Sequence, residues 1–464
     1  MFLLALLLAA APSKPPQDLD PTALSRIRDA AMKSDWAFTH LADLTDKIGP
    51  RLSGSPGAAA AVAQVASTMK GLGLTVTLQP VKVPHWVRGD ERGELVDYLG
   101  RPAGITQRVH LTALGNSSAT PPTGLTAQVL IVHSFTELEA RAAEARGKIV
   151  LLDTPFDPTL ANAGEPGAAY SQAGRARYRG PLAISQLGAV AALVRSVGGA
   201  EFRLPHTGIF LGSSDGGITV PAAAVTAEDA ALIGRLAAQG PVTMKLTLTP
   251  QLLPDADSAN VLADLKGRDL PEELIIVSGH LDSWDLGTGA LDDGAGVMAA
   301  MAAVQVIKSL GLRPRRTLRA IAWMNEENGV RGGDAYRDAN LSRLAMTHRA
   351  VIEADSGAGR PLGILANCPT DSLTRLDPVM AALKPLGATV LRHMETGIGT
   401  DIADLQDLGG VPGFEPYLDG RSYFDYHHTA ADTLDPDALR RQVAVLAVLA
   451  EMTEPPPRLP IVAR

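Results

Sequence analysis

The chain has 464 residues, 46% hydrophobic and 20% charged, with a net charge of −8 and a single cysteine, Cys368. That length predicts two or three domains, and the composition is ordinary for a globular protein. The negative balance, without a basic run or stacking platform, argues against a nucleic-acid partner. One cysteine excludes an internal disulfide and any cysteine-based zinc cluster.

Residues 1–11 are an apolar run ending in small residues, followed by Ser-Lys-Pro-Pro. They read as a secretory h-region and cleavage site without a basic n-region. Residues 1–20 are therefore expected to be a signal peptide and linker, and the protein to be secreted or periplasmic. No other segment reaches the roughly 18–20 uninterrupted apolar residues of a membrane span. Residues 23–44 carry apolar positions at helical spacing, and 48–57 (I-G-P-R-L-S-G-S-P-G) form a turn cluster. A small-residue helix over 58–72, ended by Gly73, and a strand over 75–83 complete a first peptidase-type α/β segment, residues 21–118.

Residues 119–250 change character. The turn formers of 116–124 lead to short apolar runs at 127–132, 149–152, 188–194 and 220–225, a helix over 227–238 and a strand over 242–248. These predict a separate small module, a normal size for a domain. From 251 to 464 the alternation resumes, with strands at 273–278, 317–324 and 350–354 and helices at 294–310 and 436–451. The expected fold is α/β: a mixed, mainly parallel central sheet with helices on both faces, carrying an inserted module. Cys368 follows an apolar run and reads as a buried, inert thiol.

Three acidic or histidine positions, His280, Glu326 and Asp355, each fall just after an apolar strand, where ligands collect in such sheets. His280 with Asp282 makes an H-x-D pair that, alone, is no more than a surface pair. In context it reads as a metal ligand with a supporting carboxylate. Of the Gly-flanked pair Asp292-Asp293, Asp293 suits a helix cap, leaving Asp292 to be shared by two cations. Glu326-Glu327 divides naturally into a general base and a ligand, since adjacent acids point different ways. Asp355 supplies a third carboxylate, and His428 a terminal ligand, with His427 free to donate to a developing oxyanion. Two divalent cations about 3.5–4 Å apart need this mix of His, terminal carboxylate and shared carboxylate. Asp432 or Thr433 reads as the cap of the helix after Pro436. Arg175, Arg177, Arg179 and Arg421 are candidate carboxylate holders, although a solvated basic loop also accounts for each.

The segments G-H-L-D-S-W-D, G-A-L-D-D-G-A-G, E-E, E-A-D-S-G and H-H-T-A-A-D-T resemble the motif series of the co-catalytic zinc aminopeptidase and carboxypeptidase family. Outside the site, I-G-P-R-L-S-G-S-P-G, V-P-H-W-V-R-G (83–89), P-H-T-G-I (205–209), G-L-R-P-R-R-T-L-R (311–319) and G-T-D-I (399–402) are similar to its plasma glutamate carboxypeptidase branch. The resemblance implies two zinc ions divided among His280, Glu327, Asp355 and His428 and bridged by Asp292, with Glu326 as base. Manganese or cobalt would suit the same donors. It implies that the middle module is a protease-associated domain walling the cleft, and that the Asp292–Asp293 peptide bond is cis. It also allows a homodimer. Asn325 departs from the small residue that relatives often carry before the acid pair, which bears on the hydrogen bonding of the base.

The expected activity is that of an exported exopeptidase acting on dipeptides or short peptides. One rival is an aminopeptidase that reads a free N-terminus. The other is a non-catalytic receptor on the same fold, which would have lost ligands; none is missing here.

Overall fold

The computed structural model describes residues 21–199, 201–212, 220–452 and 454–460. The expected signal peptide and linker lie outside the described residues. Sixteen strands among them form two sheets. In chain order, β1 (Thr75–Val87) belongs to the first sheet. β2 (Glu91–Asp97), β3 (Gln107–Val109), β4 (Leu111–Ala113), β5 (Leu125–Val132), β6 (Ile149–Leu152), β7 (Ala191–Arg195), β8 (Ala222–Val225) and β9 (Thr243–Leu248) form the second. The first then resumes with β10 (Gln251–Leu265), β11 (Leu270–His280), β12 (Arg316–Trp323), β13 (His348–Glu353), β14 (Pro361–Asn367), β15 (Val390–His393) and β16 (Gly413–Leu418).

The first sheet has the order β1-β10-β12-β11-β13-β16-β14-β15. Its centre, β12-β11-β13-β16, is parallel, while β1, β10 and the β14–β16 pair are antiparallel. Mixed pairing is what was expected. Alternation along the strands sends side chains to opposite faces. Ile275 and Val277 of β11 pack into one core cluster with the helices Pro21–Ala31, Pro56–Gly71, Ala295–Ser309 and Pro436–Ala450. Ile276 packs into another with Tyr336, Leu344 and Leu405. Strands covered on both faces read as unbroken apolar runs, which is why their positions are visible in the sequence.

The segment Ala290–Ser309 is long and apolar enough to cross a membrane, but it is the interior helix of this sheet, 94% buried. Cys368 is buried as expected. The apolar periodicity over 23–44 resolves into two helices, Pro21–Ala31 and Trp36–Lys47.

The second sheet, β3-β2-β9-β5-β6-β7-β8-β4, lies in the chain between β1 and β10. Its first three strands precede residue 119, so it draws on chain from both sides of that expected boundary. The helix Pro166–Gln186 packs on β6 and β7. Its buried face is Ala169, Ala173, Ala176, Arg177, Gly180 and Ile184, a stripe of small residues with no large apolar periodicity, and it was not expected from the sequence.

Candidate metal centre

The parallel strands β12, β11 and β13 deliver their acids and histidine to one edge. His280 is the last residue of β11, Glu326 and Glu327 follow β12, and Asp355 lies two residues beyond β13. Asp292 comes from the turn Ala290–Gly294, which opens the helix Ala295–Ser309. His428 comes from the loop after β16. All five expected ligands and Glu326 therefore meet at the carboxyl end of the sheet. The Asp292–Asp293 bond is cis.

Asp292 faces two ways. Its Oδ1 lies 3.2 Å from His280 Nε2, which is in turn 3.1 Å from Asp355 Oδ1. Its Oδ2 lies 3.4 Å from His428 Nε2, which is 3.0 Å from Glu327 Oε2. Each histidine meets a backbone carbonyl through Nδ1. His280 Nδ1 meets Asp282 O at 2.9 Å, and His428 Nδ1 meets Thr207 O at 3.3 Å. A carbonyl can only accept, so His280 Nδ1 carries a proton, while His428 Nδ1 lies between Thr207 O and Arg177 Nη1, 3.4 Å away. In both rings Nε2 is the atom that faces the carboxylates and would meet a cation held among them.

The arrangement resolves the neighbouring acids. Asp293 is occupied by backbone: Oδ2 accepts from His280 N at 3.0 Å and Oδ1 from Gly296 N at 2.8 Å. This bears out its capping role and removes it as a ligand, although His280, Asp293 and Asp355 also place one donor atom each within 4.8 Å of one another. Asp282 supports His280 through its carbonyl; its carboxylate is 3.9 Å from the ring and serves another purpose. Its Oδ1 accepts from Asn325 N at 2.7 Å and Glu326 N at 3.1 Å, and its Oδ2 from Ser53 Oγ at 3.0 Å. Asp282 thus holds the backbone of the Glu326 turn. Asn325 adopts a left-handed φ of 79°, a conformation that asparagine tolerates better than most side chains.

Asp432 does not cap the following helix. It accepts from Leu291 N and Asp292 N at 2.7 and 3.2 Å, while Asp435 makes the cap. Arg51, fully buried, donates to the carbonyls of Leu281, Thr288 and Gly289 and ties down the loop between His280 and Asp292. Neither role has a local signature in the sequence.

Charge balance favours a multivalent cation. Burial pushes Glu326 up to about 8, raises Asp355 and raises Glu327 well above its usual value, reinforced by neighbouring acids. Burial also drives His427 down to about 3 and His428 well below its usual value. Burial opposes charge on His280, yet Asp355 and Asp292 raise it well above its usual value; with His427 and His428 neutral, the crowded carboxylates remain short of positive charge. Asp292 Oδ2 is buried without a hydrogen-bond partner. His427 stacks on His428 with ring centroids 3.5 Å apart, its Nε2 3.5 Å from Asp292 Oδ2. The residues fit divalent cations.

Residues 260–450 match peptidase family M28. Human carboxypeptidase Q is 38% identical over 91% of this chain and 87% of its own length, and the Xenopus laevis protein 37% identical over 91% and 87%. The chain belongs to peptidase family M28. The crystal structure of a peptidase M28 precursor from Shewanella amazonensis superposes with a TM-score of 0.88 at 33% identity, covering 96% of this chain and 99% of that one. An aminopeptidase from Aneurinibacillus shares the fold at a TM-score of 0.60 and 19% identity, covering 96% of each chain. With family, fold and donor set in agreement, this M28 chain is a metallopeptidase of the exopeptidase kind.

The cleft of the M28 chain, about 740 Å³, opens beside the donor cluster and is lined by both sheets' segments: Asp355 and Tyr423 from one, Tyr170 and Arg177 from the other. Glu326 lines it and is only partly covered. Arg177, one of the candidate carboxylate holders, is buried in the wall and is not part of a solvated loop. Its guanidinium lies over the Tyr170 ring at 5.3 Å, and its Nε has no hydrogen-bond partner. Arg421 instead pairs with Asp419 at the surface.

Proposed function

We propose that this protein is an exported, carboxypeptidase Q-like exopeptidase with two zinc ions, hydrolysing dipeptides or short peptides. The observation that carries the reading is the division of Asp292, one oxygen toward His280 and Asp355 and the other toward His428 and Glu327. His280 and Asp355 would hold one ion, His428 and Glu327 the other, with Asp292 shared. When bound, such ions supply Lewis acidity toward a carbonyl oxygen and make water a better nucleophile near neutral pH.

The chain's own groups do the remainder. Glu326, held by Asp282 through its backbone and open to the cleft, takes the proton of the attacking water and hands it to the leaving amine. His427, at the cleft wall beside Asp292, is placed to donate to the oxyanion. Arg177, a buried guanidinium without a carboxylate partner among the described ion pairs, suits the free carboxylate of a peptide C-terminus. That favours the carboxypeptidase or dipeptidase mode over the aminopeptidase mode. The second sheet and its helices would be the protease-associated module walling the cleft.

Replacing Glu326 with Gln should lower kcat by roughly 10²–10⁴-fold while zinc content stays that of the parent. Near-normal turnover would remove Glu326 as the base. Dipeptides blocked at either end decide the mode: amidation of the C-terminus should abolish cleavage, and acylation of the N-terminus should not.

A further inference from the structure

The segment P-H-T-G-I, residues 205–209, supplies Thr207 O to the His428 ring and is bonded more widely to the His427-His428 dipeptide. Thr207 N donates to His428 O at 3.0 Å, His206 Nδ1 donates to His427 O at 2.8 Å, and His428 Nδ1 meets Thr207 O at 3.3 Å. Gly199 N adds a bond to Phe424 O at 3.1 Å. The segment is itself anchored to the second sheet. His206 N donates to Ser196 Oγ at 3.2 Å, Thr207 Oγ1 to Ala113 O at 2.9 Å, and Arg88 to Thr207 Oγ1 at 3.2 Å. His206 and Thr207 are both buried.

The dipeptide needs such a clamp. His428 has φ of 62°, in the left-handed region where a histidine is strained, so its backbone must be held from outside. Among the described residues, the side chains of the other half are held differently. His280 is held by Asp282 O and Asp293, and Asp355 follows β13, all within the first sheet.

We infer that His206 is a positioning residue for one ion of the pair: docking of the second module through residues 205–209 sets the affinity of the His428–Glu327 position and leaves the His280–Asp355 position unaffected. This rests on the two-ion reading above. Groups that orient a metal-binding histidine change metal affinity by about 10–100-fold when lost, which is the shift expected here.

The test is zinc binding to the full chain across a series of buffered free-zinc concentrations, read as zinc per chain. The parent should fill in two steps. His206→Leu, which removes the donor, should weaken one step by about 10–100-fold and leave the other in place. His206→Asn, whose amide can replace Nδ1–H, should restore it. Weakening of both steps alike by His206→Leu, or of neither, overturns the inference. A single step in the parent instead removes the two-ion reading and this inference with it. If His206→Leu does not fold, Thr207→Val loosens the segment from Ala113 without touching its backbone bonds. It should produce a smaller shift in the same step, and an unchanged curve would count against the clamp.

Discussion

His280 and Asp355 stand at the ends of adjacent parallel strands, β11 and β13, whereas His428 stands in a loop whose backbone is bonded to a segment of the other sheet. Both histidines present Nε2 to Asp292 and both bond Nδ1 to a carbonyl, but the carbonyls differ in origin. For His280 it is two residues away in the chain; for His428 it is 221 residues away. A residue on a strand end inherits its place from the sheet, as His280, Asp355 and Glu327 do. A residue on a loop needs a second body to hold it, so His428 owes its place to contact with the second sheet.

The most severe way to break this comparison is to remove what the halves share. Asp292→Ala should lose both ions and lower kcat/KM by at least on the order of 10³-fold. Retention of one tightly held zinc would show that Asp292 belongs to a single position. Asp282→Asn acts on the sheet-held half without touching a ligand. It weakens the charge-assisted bonds to Asn325 N and Glu326 N and should lower kcat about tenfold at unchanged zinc content. Zinc loss in parallel would place the role of Asp282 at His280 instead.

Arg177→Met probes the other half. KM should rise about tenfold for peptides with a free C-terminal carboxylate while zinc content stays that of the parent. An equal loss for every substrate, accompanied by zinc loss, would move Arg177 from substrate binding to support of His428.

The smallest effect lies away from both halves, at His348. It is fully buried, within 2.9 Å of Tyr336 Oη and Thr347 Oγ1, and burial holds it down to about 3. In the unfolded chain it titrates near 6.5. Below that pH the unfolded state binds a proton that the folded state refuses. Stability is therefore fully present above about 6.5 and is lost as pH falls toward 3, by at most about 1.4 kcal/mol per unit. Urea unfolding at pH 7 and pH 5 should show this loss, and His348→Gln should flatten it. An equal slope in the variant would assign the acid sensitivity to other groups.

The contrast between the halves also explains what could be read in advance. β11, β12 and β13 are covered on both faces, so they appear as apolar runs, and the acids just beyond them stand out against those runs. The helix Pro166–Gln186 is hard to read because its buried face is mostly alanine and glycine, with Arg177 and Pro181 among them and Ile184 its one large apolar residue. Asp432 was read as a cap because its neighbours in the chain are a helix start, while its partners, Leu291 N and Asp292 N, are about 140 residues away. Arg177 reads as a solvated cation because the groups that cover it from outside its own helix, Thr207 and His428, are 30 and 251 residues away.

The sequence by itself determined the type and order of the donors, the strands that carry most of them and the family to which they belong. These follow from local patterns: apolar runs, chain punctuation and short motifs. Only the tertiary structure decided which oxygen of Asp292 faces which histidine, that Asp282 holds the backbone of Asn325 and Glu326, and that residues 205–209 hold His428. The first two depend on which strand ends and loops lie side by side at the edge of the first sheet, and the last on how the two sheets pack; no local pattern records any of them.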